Sequence, residues 1–200
     1  MFQQVGPYTG KLDTTRTYSL LEPVKTYFGI EPRFSGKATI SKNASIKAGI
    51  TLGRQYVHLV TNSTSTLPTD LWVPSTEKVK PQWGLQYAIG YFHNFFDNTL
   101  EASVEVFYKD LYNQLDCSEN YTQTPDTDVE DQFIAGKGRA YGLELFLRKQ
   151  KGRFTGWLAY TLSRSERTFD GIKGGAYPTG FDRTHDLSLV LSYDIFEWFT

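Results

Sequence analysis

The stretch Leu100-Glu101-Ala102-Ser103-Val104-Glu105-Val106-Phe107-Tyr108-Lys109 alternates apolar and polar residues, with Phe107 the one bulky residue out of turn. Side chains along a strand point alternately to its two faces, so this segment has a greasy face of Leu100, Ala102, Val104, Val106 and Tyr108. Its other face carries Glu101, Ser103, Glu105 and Lys109. The same division recurs in Tyr141-Gly142-Leu143-Glu144-Leu145-Phe146-Leu147-Arg148 and in Leu187-Ser188-Leu189-Val190-Leu191-Ser192-Tyr193-Asp194-Ile195. Phe146 and Val190 are the bulky residues on the polar side. A sheet made of such strands suits lipid on one side and water on the other. It also suits one half of a soluble sandwich, so alternation alone does not decide between them.

The bulk composition narrows the choice. The 200 residues suit one β-domain, and 21 Lys and Arg against 22 Asp and Glu leave a formal charge of −1. With no basic tract, no nucleic-acid partner is expected. No run approaches the roughly 18 apolar residues of a transmembrane helix. That excludes helical spans only, because a β-barrel places its apolar residues at every second position and keeps a low mean hydropathy. The chain has 13 Tyr and 14 Phe, and Tyr favours both strands and membrane interfaces. The lone Cys117 forms no internal disulfide. The start, Met1-Phe2-Gln3-Gln4-Val5-Gly6-Pro7, lacks the features of a signal peptide, and Glu197-Trp198-Phe199-Thr200 reads as the beginning of a further strand. A fragment of a longer chain is therefore expected.

Seven strands are predicted after a loop-like leader at 1–31: about 33–41, 45–57, 82–95, 99–115, 138–149, 153–167 and 183–195. Tight turns at 42–44, 96–98 and 150–152 alternate with long loops at 59–80, 117–135 and 168–182. In an up-and-down meander this puts every short turn on one rim and every long loop on the other, which is the pattern of an outer-membrane barrel. Sandwiches mix hairpins with crossovers and show no such asymmetry. The expected fold class is all-β, an antiparallel up-and-down meander forming part of a transmembrane β-barrel, with about seven strands of a larger barrel over 32–200. Several strands exceed the roughly 9–11 residues that cross a bilayer at a tilt.

No catalytic or metal site is expected. Gly136-Lys137-Gly138-Arg139-Ala140-Tyr141-Gly142 fails the spacing of a phosphate-binding loop and precedes a strand rather than a helix. Asp182-Arg183-Thr184-His185-Asp186 gathers acids, a base and a cation, but His185 and Asp186 must point to opposite faces of a strand. The cluster reads as a hydrogen-bonded rim. His58, His93 and His185 share no ligand spacing. The acidic stretch Asp126, Asp128, Glu130, Asp131 lacks the spacing of a calcium loop and reads as solvated. The sequons at Asn43, Asn62 and Asn120 carry no weight. The residues with functional promise are those on the polar face: Glu101, Ser103, Glu105, Lys109, Glu144, Arg148, Ser188, Ser192 and Asp194, which would line a wet lumen.

Six segments resemble, in order, the barrel of a TonB-dependent outer-membrane receptor or transporter of the Bacteroidetes type. They are Tyr27-Phe28-Gly29-Ile30-Glu31-Pro32-Arg33-Phe34-Ser35, then Leu71-Trp72-Val73-Pro74 with Lys80-Pro81-Gln82, then Val104-Glu105-Val106-Phe107-Tyr108-Lys109-Asp110. Gly138-Arg139-Ala140-Tyr141-Gly142-Leu143-Glu144-Leu145, Trp157-Leu158-Ala159-Tyr160-Thr161-Leu162-Ser163 and Asp182-Arg183-Thr184-His185-Asp186-Leu187 complete the set. The resemblance covers about 27–196. It implies a barrel of about 22 strands with a plugged lumen, located in the bacterial outer membrane. It also implies import of a scarce nutrient such as a metal chelate, a cobalamin or an oligosaccharide. The partners implied are outer-membrane lipid, a plug domain and the remaining barrel, TonB, and a small nutrient ligand. Neither enzymatic activity nor a cofactor is implied, and no substrate-binding residue can be named. The alternative is a soluble all-β ligand-binding module with the apolar face as its core. Rows of Tyr87, Tyr91, Tyr108, Tyr112, Tyr141, Tyr160 and Tyr193 on the greasy face favour an interfacial girdle over such a core.

Overall fold

Strands of β-branched and aromatic residues joined by turn residues leave little alternative to a sheet. In the computed structural model seven of them form one antiparallel meander. The structure describes residues 1–6, 8–10, 16–60, 71–117, 129–170 and 175–195. Within the leader are β1 (Phe2–Val5), β2 (Tyr8–Gly10), β3 (Arg16–Tyr18) and β4 (Pro23–Tyr27). Then come β5 (Arg33–Ser41), β6 (Ala44–Gln55), β7 (Val57–Val60), β8 (Leu71–Pro74), β9 (Gln82–Phe95) and β10 (Leu100–Cys117). A 3-10 turn, Val129–Gln132, precedes β11 (Phe133–Lys149), β12 (Phe154–Thr168), β13 (Tyr177–Pro178) and β14 (His185–Tyr193). No helix among the described residues is long and apolar enough to cross a membrane.

The main sheet runs β5-β6-β9-β10-β11-β12, with β14 and the two-residue β13 both paired to β12. It stays open, with β5 and β14 at its two ends. Three short turns join β5 to β6, β9 to β10 and β11 to β12, and they sit side by side. The Asn94 amide donates to the Asn43 carbonyl, and the Gln150 amide donates to the Thr99 carbonyl. In the middle turn Phe96, Asp97 and Asn98 all take left-handed backbone angles, with φ of 51, 49 and 62°. Asn and Asp tolerate that conformation, and the Asn94 side-chain amide donates to the Asn98 oxygen across the hairpin.

Two expectations are corrected. The leader at 1–31 is not all loop, because β1 pairs with β4 and β2 with β3. The Phe2–Tyr27 pairing joins residues far apart in sequence through strands of three to five residues, too short to show a period. Parts of the expected loops at 59–80 and 117–135 are also strand. β7 pairs with β8, and β10 and β11 stay paired out to Cys117–Phe133. The calcium reading falls partly on Asp126 and Asp128, and the sequons partly on Asn62 and Asn120, all of which lie outside the described residues.

The two faces of the sheet are chemically opposite. One rung of directly paired residues, Ile46, Tyr91, Val104, Leu145, Tyr160 and Leu187, crosses six strands with no charged group. The apolar residues form the more exposed face: Val106 is 49% exposed, while Ser103 on the opposite face is 6% exposed. An apolar face turned outward, with nothing packed on it among the described residues, inverts the arrangement of a water-soluble sheet.

The buried core lies elsewhere. Val60, Val73 and Val79 pack together at the long-loop rim, with Leu115 and Phe133 against them. The upper ends of β10 and β11 therefore rise beyond the apolar band and support a small folded cap made of long-loop residues.

Candidate functional site

The outer face shows where the apolar band stops. Tyr87, Tyr108 and Tyr141 occupy one rung, and the rings of Tyr108 and Tyr141 stack at 6.4 Å. The next outward residues toward the long loops are Leu85, Asp110, Arg139 and Glu166. From Leu100 to Tyr108 is eight residue steps, about 27 Å along the strand. At the roughly 40–45° tilt of barrel strands this is about 20 Å along the membrane normal, most of the roughly 25 Å height of an apolar band. Tyr rings border it, and the Tyr108 hydroxyl donates to Asp110 on the polar side, as at a lipid–water interface.

At that line, where Arg164 pairs with Tyr141, and above it the charges are paired. Arg139 lies 2.7 Å from Glu166, and Arg164 bridges Glu166 and Asp182 at 3.2 Å each. Asp182 also accepts from the Ser165 amide at 2.6 Å, and the Ser163 hydroxyl donates to the Arg183 carbonyl. The 182–186 cluster therefore clips the loop to β12, as a rim should. His185 lies on the outer face beside the Tyr160 hydroxyl at 2.7 Å, in the same way that Tyr91 meets His93 at 2.9 Å. Gly136–Gly142 lies within β11, with no helix following it.

On the inner face the sequence-predicted residues fall on common rungs. Glu101 faces Arg148, and Glu105 directly faces Glu144. Beyond Glu144 the rung continues through Thr161 to Asp186, and beyond Glu105 through Gly90 to Lys47. A Cβ at Gly90 would stand 2.6 Å from Glu105 Cγ, so the glycine lets the glutamate lie across β9 toward the Lys47 position. Similarly, a Cβ at Gly142 would meet the Phe107 ring at 2.8 Å. Ser103 and Ser188 share a rung with Phe92, Phe146 and Ala159, and Lys47 Nζ sits 4.0 Å from the Phe92 ring. Ser192 and Asp194 follow at the short-turn end of β14. The Asp194 amide donates to the Arg153 carbonyl, closing that end onto β12.

Sequence reading missed the upper inner wall. At Asn113 the β10–β11 register shifts, and Asn113 adopts φ 54°. Even-numbered residues of β10 face outward up to Tyr112, which stacks on Trp83 at 4.0 Å. The bulge reverses that parity, and Gln114 turns inward to donate to the Gln82 side chain at 3.2 Å. An alternation count carries no sign of the bulge, although an Asn at that point is compatible with it.

The cap holds a buried polar centre. His58 is 0% exposed, and its Nε2 lies 2.9 Å from the equally buried Ser75 Oγ. Burial holds the imidazole below its ordinary pKa. The leader joins this cap: the Tyr27 hydroxyl donates to the Thr76 carbonyl, the Glu77 amide donates to the Gln4 side chain, and Phe2 stacks on Tyr56. No group of metal-ligating residues occurs among the described residues.

Comparison with known families agrees with this geometry. The family model described as TonB dependent receptor-like, beta-barrel matches residues 11–199. Comparisons with curated proteins and with solved structures give no match. With the family model spanning nearly the whole chain, over the segment whose greasy face is turned outward, this chain belongs to the TonB-dependent receptor β-barrel family.

Proposed function

We propose that residues 32–200 are a section of barrel wall from an outer-membrane transporter that imports a scarce nutrient, and that the leader at 1–31 is part of its outward-facing rim. The observation that carries this reading is the uncovered apolar face, bounded by a tyrosine rung and backed by a polar inner wall. A soluble module would need a second layer over that face, and none packs there among the described residues. The family is one of outer-membrane receptors and transporters, so transport rather than catalysis is the activity to test.

The inner wall supports a plug as its partner. Glu105 and Glu144 are directly opposed across β10 and β11, and like charges in that position destabilise a sheet. A cationic side chain from a plug would relieve the repulsion. Energy would reach the wall through TonB acting on such a plug. The nutrient would be a metal chelate, a cobalamin or an oligosaccharide, met first by the cap and the long loops, since loops on a rigid scaffold commonly carry binding residues.

The test is uptake by cells expressing the full-length protein, with and without TonB, offered ferric chelates, cobalamin and oligosaccharides. Uptake of one class that vanishes without TonB is expected. Uptake of such a nutrient at the same rate in both strains would contradict the reading.

A further inference from the structure

The missed upper inner wall contains a built recess. Thr51, Gln55, Gln82, Gln86, Lys109 and Gln114 surround a hollow of about 250 Å³ over the ends of β6, β9 and β10. Its floor is Gly53, Gly84 and Leu111, which are paired in a single rung. Two of the rungs are filled with hydrogen-bonding side chains: Thr51 faces Gln86, which faces Lys109, and Gln55 faces Gln82. The fourth glutamine is brought in by the bulge. Gln114 is 6% exposed, and Asn113 holds the distorted backbone by donating from Nδ2 to the Pro81 carbonyl at 2.9 Å. A left-handed Asn and a lost ladder pairing are costs to the sheet, and their local result is a fourth amide at this hollow.

The chemistry of the lining selects a class of ligand. Each glutamine amide both donates and accepts, and Thr51 does the same. Vicinal hydroxyls also donate and accept, so they match such a wall group for group. A carboxylate or phosphate would use only the donors, and Lys109 is the one charged side chain among the six; Arg54 also borders the hollow, but it pairs with Trp83 on the outer face and its side chain runs beside Gly29. A metal complex would find no carboxylate, imidazole or thiolate in the lining. We propose that this recess is a recognition subsite for an uncharged, hydroxyl-rich ligand, a segment of an oligosaccharide. The proposal rests on the transporter reading above and selects one of its three nutrient classes.

Gly53 provides a direct test. A Cβ there meets nothing within 4 Å, so a larger side chain starts from open space and projects into the hollow. Gly36 is equally open, but it pairs with Ala48 on the outer face and serves as a control. The full-length protein, purified in detergent, is screened against an array of neutral oligosaccharides, and the best binder is titrated calorimetrically. Binding is expected, with Gly53→Trp and the double variant Gln82→Leu/Gln86→Leu each weakening it by about tenfold or more, and Gly36→Trp leaving it unchanged. The second variant leaves the glycine floor intact and guards against misfolding of the first. Absence of binding to any neutral oligosaccharide, or equal affinity in all three variants, would overturn the subsite. TonB-dependent uptake of a ferric chelate or cobalamin alongside that result would overturn the subsite while leaving the transporter reading intact. Loss of TonB dependence for every nutrient would remove both.

Discussion

The wall and the cap follow opposite rules. Along the wall Val104, Val106, Leu145, Leu187 and Leu189 are exposed, and continuous backbone pairing from β5 to β14 holds the strands. In the cap Val60, Val73 and Val79 are buried, though β7 and β8 have only four residues each. Hydrophobic burial therefore organises the cap from within, as in any water-soluble fold. Among the described residues nothing packs over the wall's apolar face, which suits a lipid environment instead. The boundary between the two regimes falls at the Tyr87–Tyr108–Tyr141 rung, which ends on Arg164 in β12, and the Asp110–Arg139–Glu166 rung one step further along the outer face.

Charge on the outer face should break the wall most severely. Leu145→Arg, near the middle of the band, is expected to cost about 2–4 kcal/mol in reversible unfolding of the full-length barrel in bilayers. Glu144→Arg, one residue away on the inner face, should cost far less, because it replaces one member of the opposed Glu105–Glu144 pair with a cation. Equal costs for the two would contradict the assignment of faces.

In the cap, Val73→Ala is expected to cost about 2 kcal/mol from two lost buried methylenes and a residual cavity. The loss should be local. Hydrogen exchange should accelerate over 57–60 and 71–79 but not in the band portions of β9–β12. Uniform acceleration would show that cap and wall unfold as one unit.

The next effect is acid sensitivity confined to the cap. Burial lowers the folded pKa of His58, and this favours the cap at pH above the ordinary histidine value of about 6.5. As pH falls below that value the unfolded cap binds a proton first, and the advantage shrinks down to the folded pKa. Protection of 57–60 and 73–79 against exchange should therefore fall between pH 7.5 and 5.5, and His58→Gln should flatten the profile. A profile that His58→Gln leaves unchanged would remove His58 from the account. The smallest effect is expected on the outer rim, where Arg139→Gln breaks an exposed pair with Glu166 and should leave barrel unfolding unchanged within error.

These contrasts also explain what was legible in the sequence. The wall was readable because an uninterrupted period of two survives from Leu100 to Tyr108, and because three tight turns keep neighbouring strands in register. β5 and β9 fall where the alternation places them. The cap was not readable, because three- to five-residue strands show no period and their partners, such as Phe2 and Tyr27, are distant in sequence. Serines, threonines and prolines around β7 and β8 gave a loop signal that tertiary burial of Val60, Val73 and His58 overrides. The glutamine recess was hidden for another reason. Parity assigns Gln114 to the outer face, and only the backbone reversal at Asn113 turns it inward.

The central claim is that the greasy face meets lipid and the polar face meets the lumen. Cysteine scanning over 143–148 in the full-length protein, in proteoliposomes and with Cys117→Ser as background, tests it most directly. Leu143→Cys, Leu145→Cys and Leu147→Cys should resist a membrane-impermeant maleimide, while Glu144→Cys and Arg148→Cys should react through the lumen. A reversed pattern, or equal labelling at all five positions, would contradict the account.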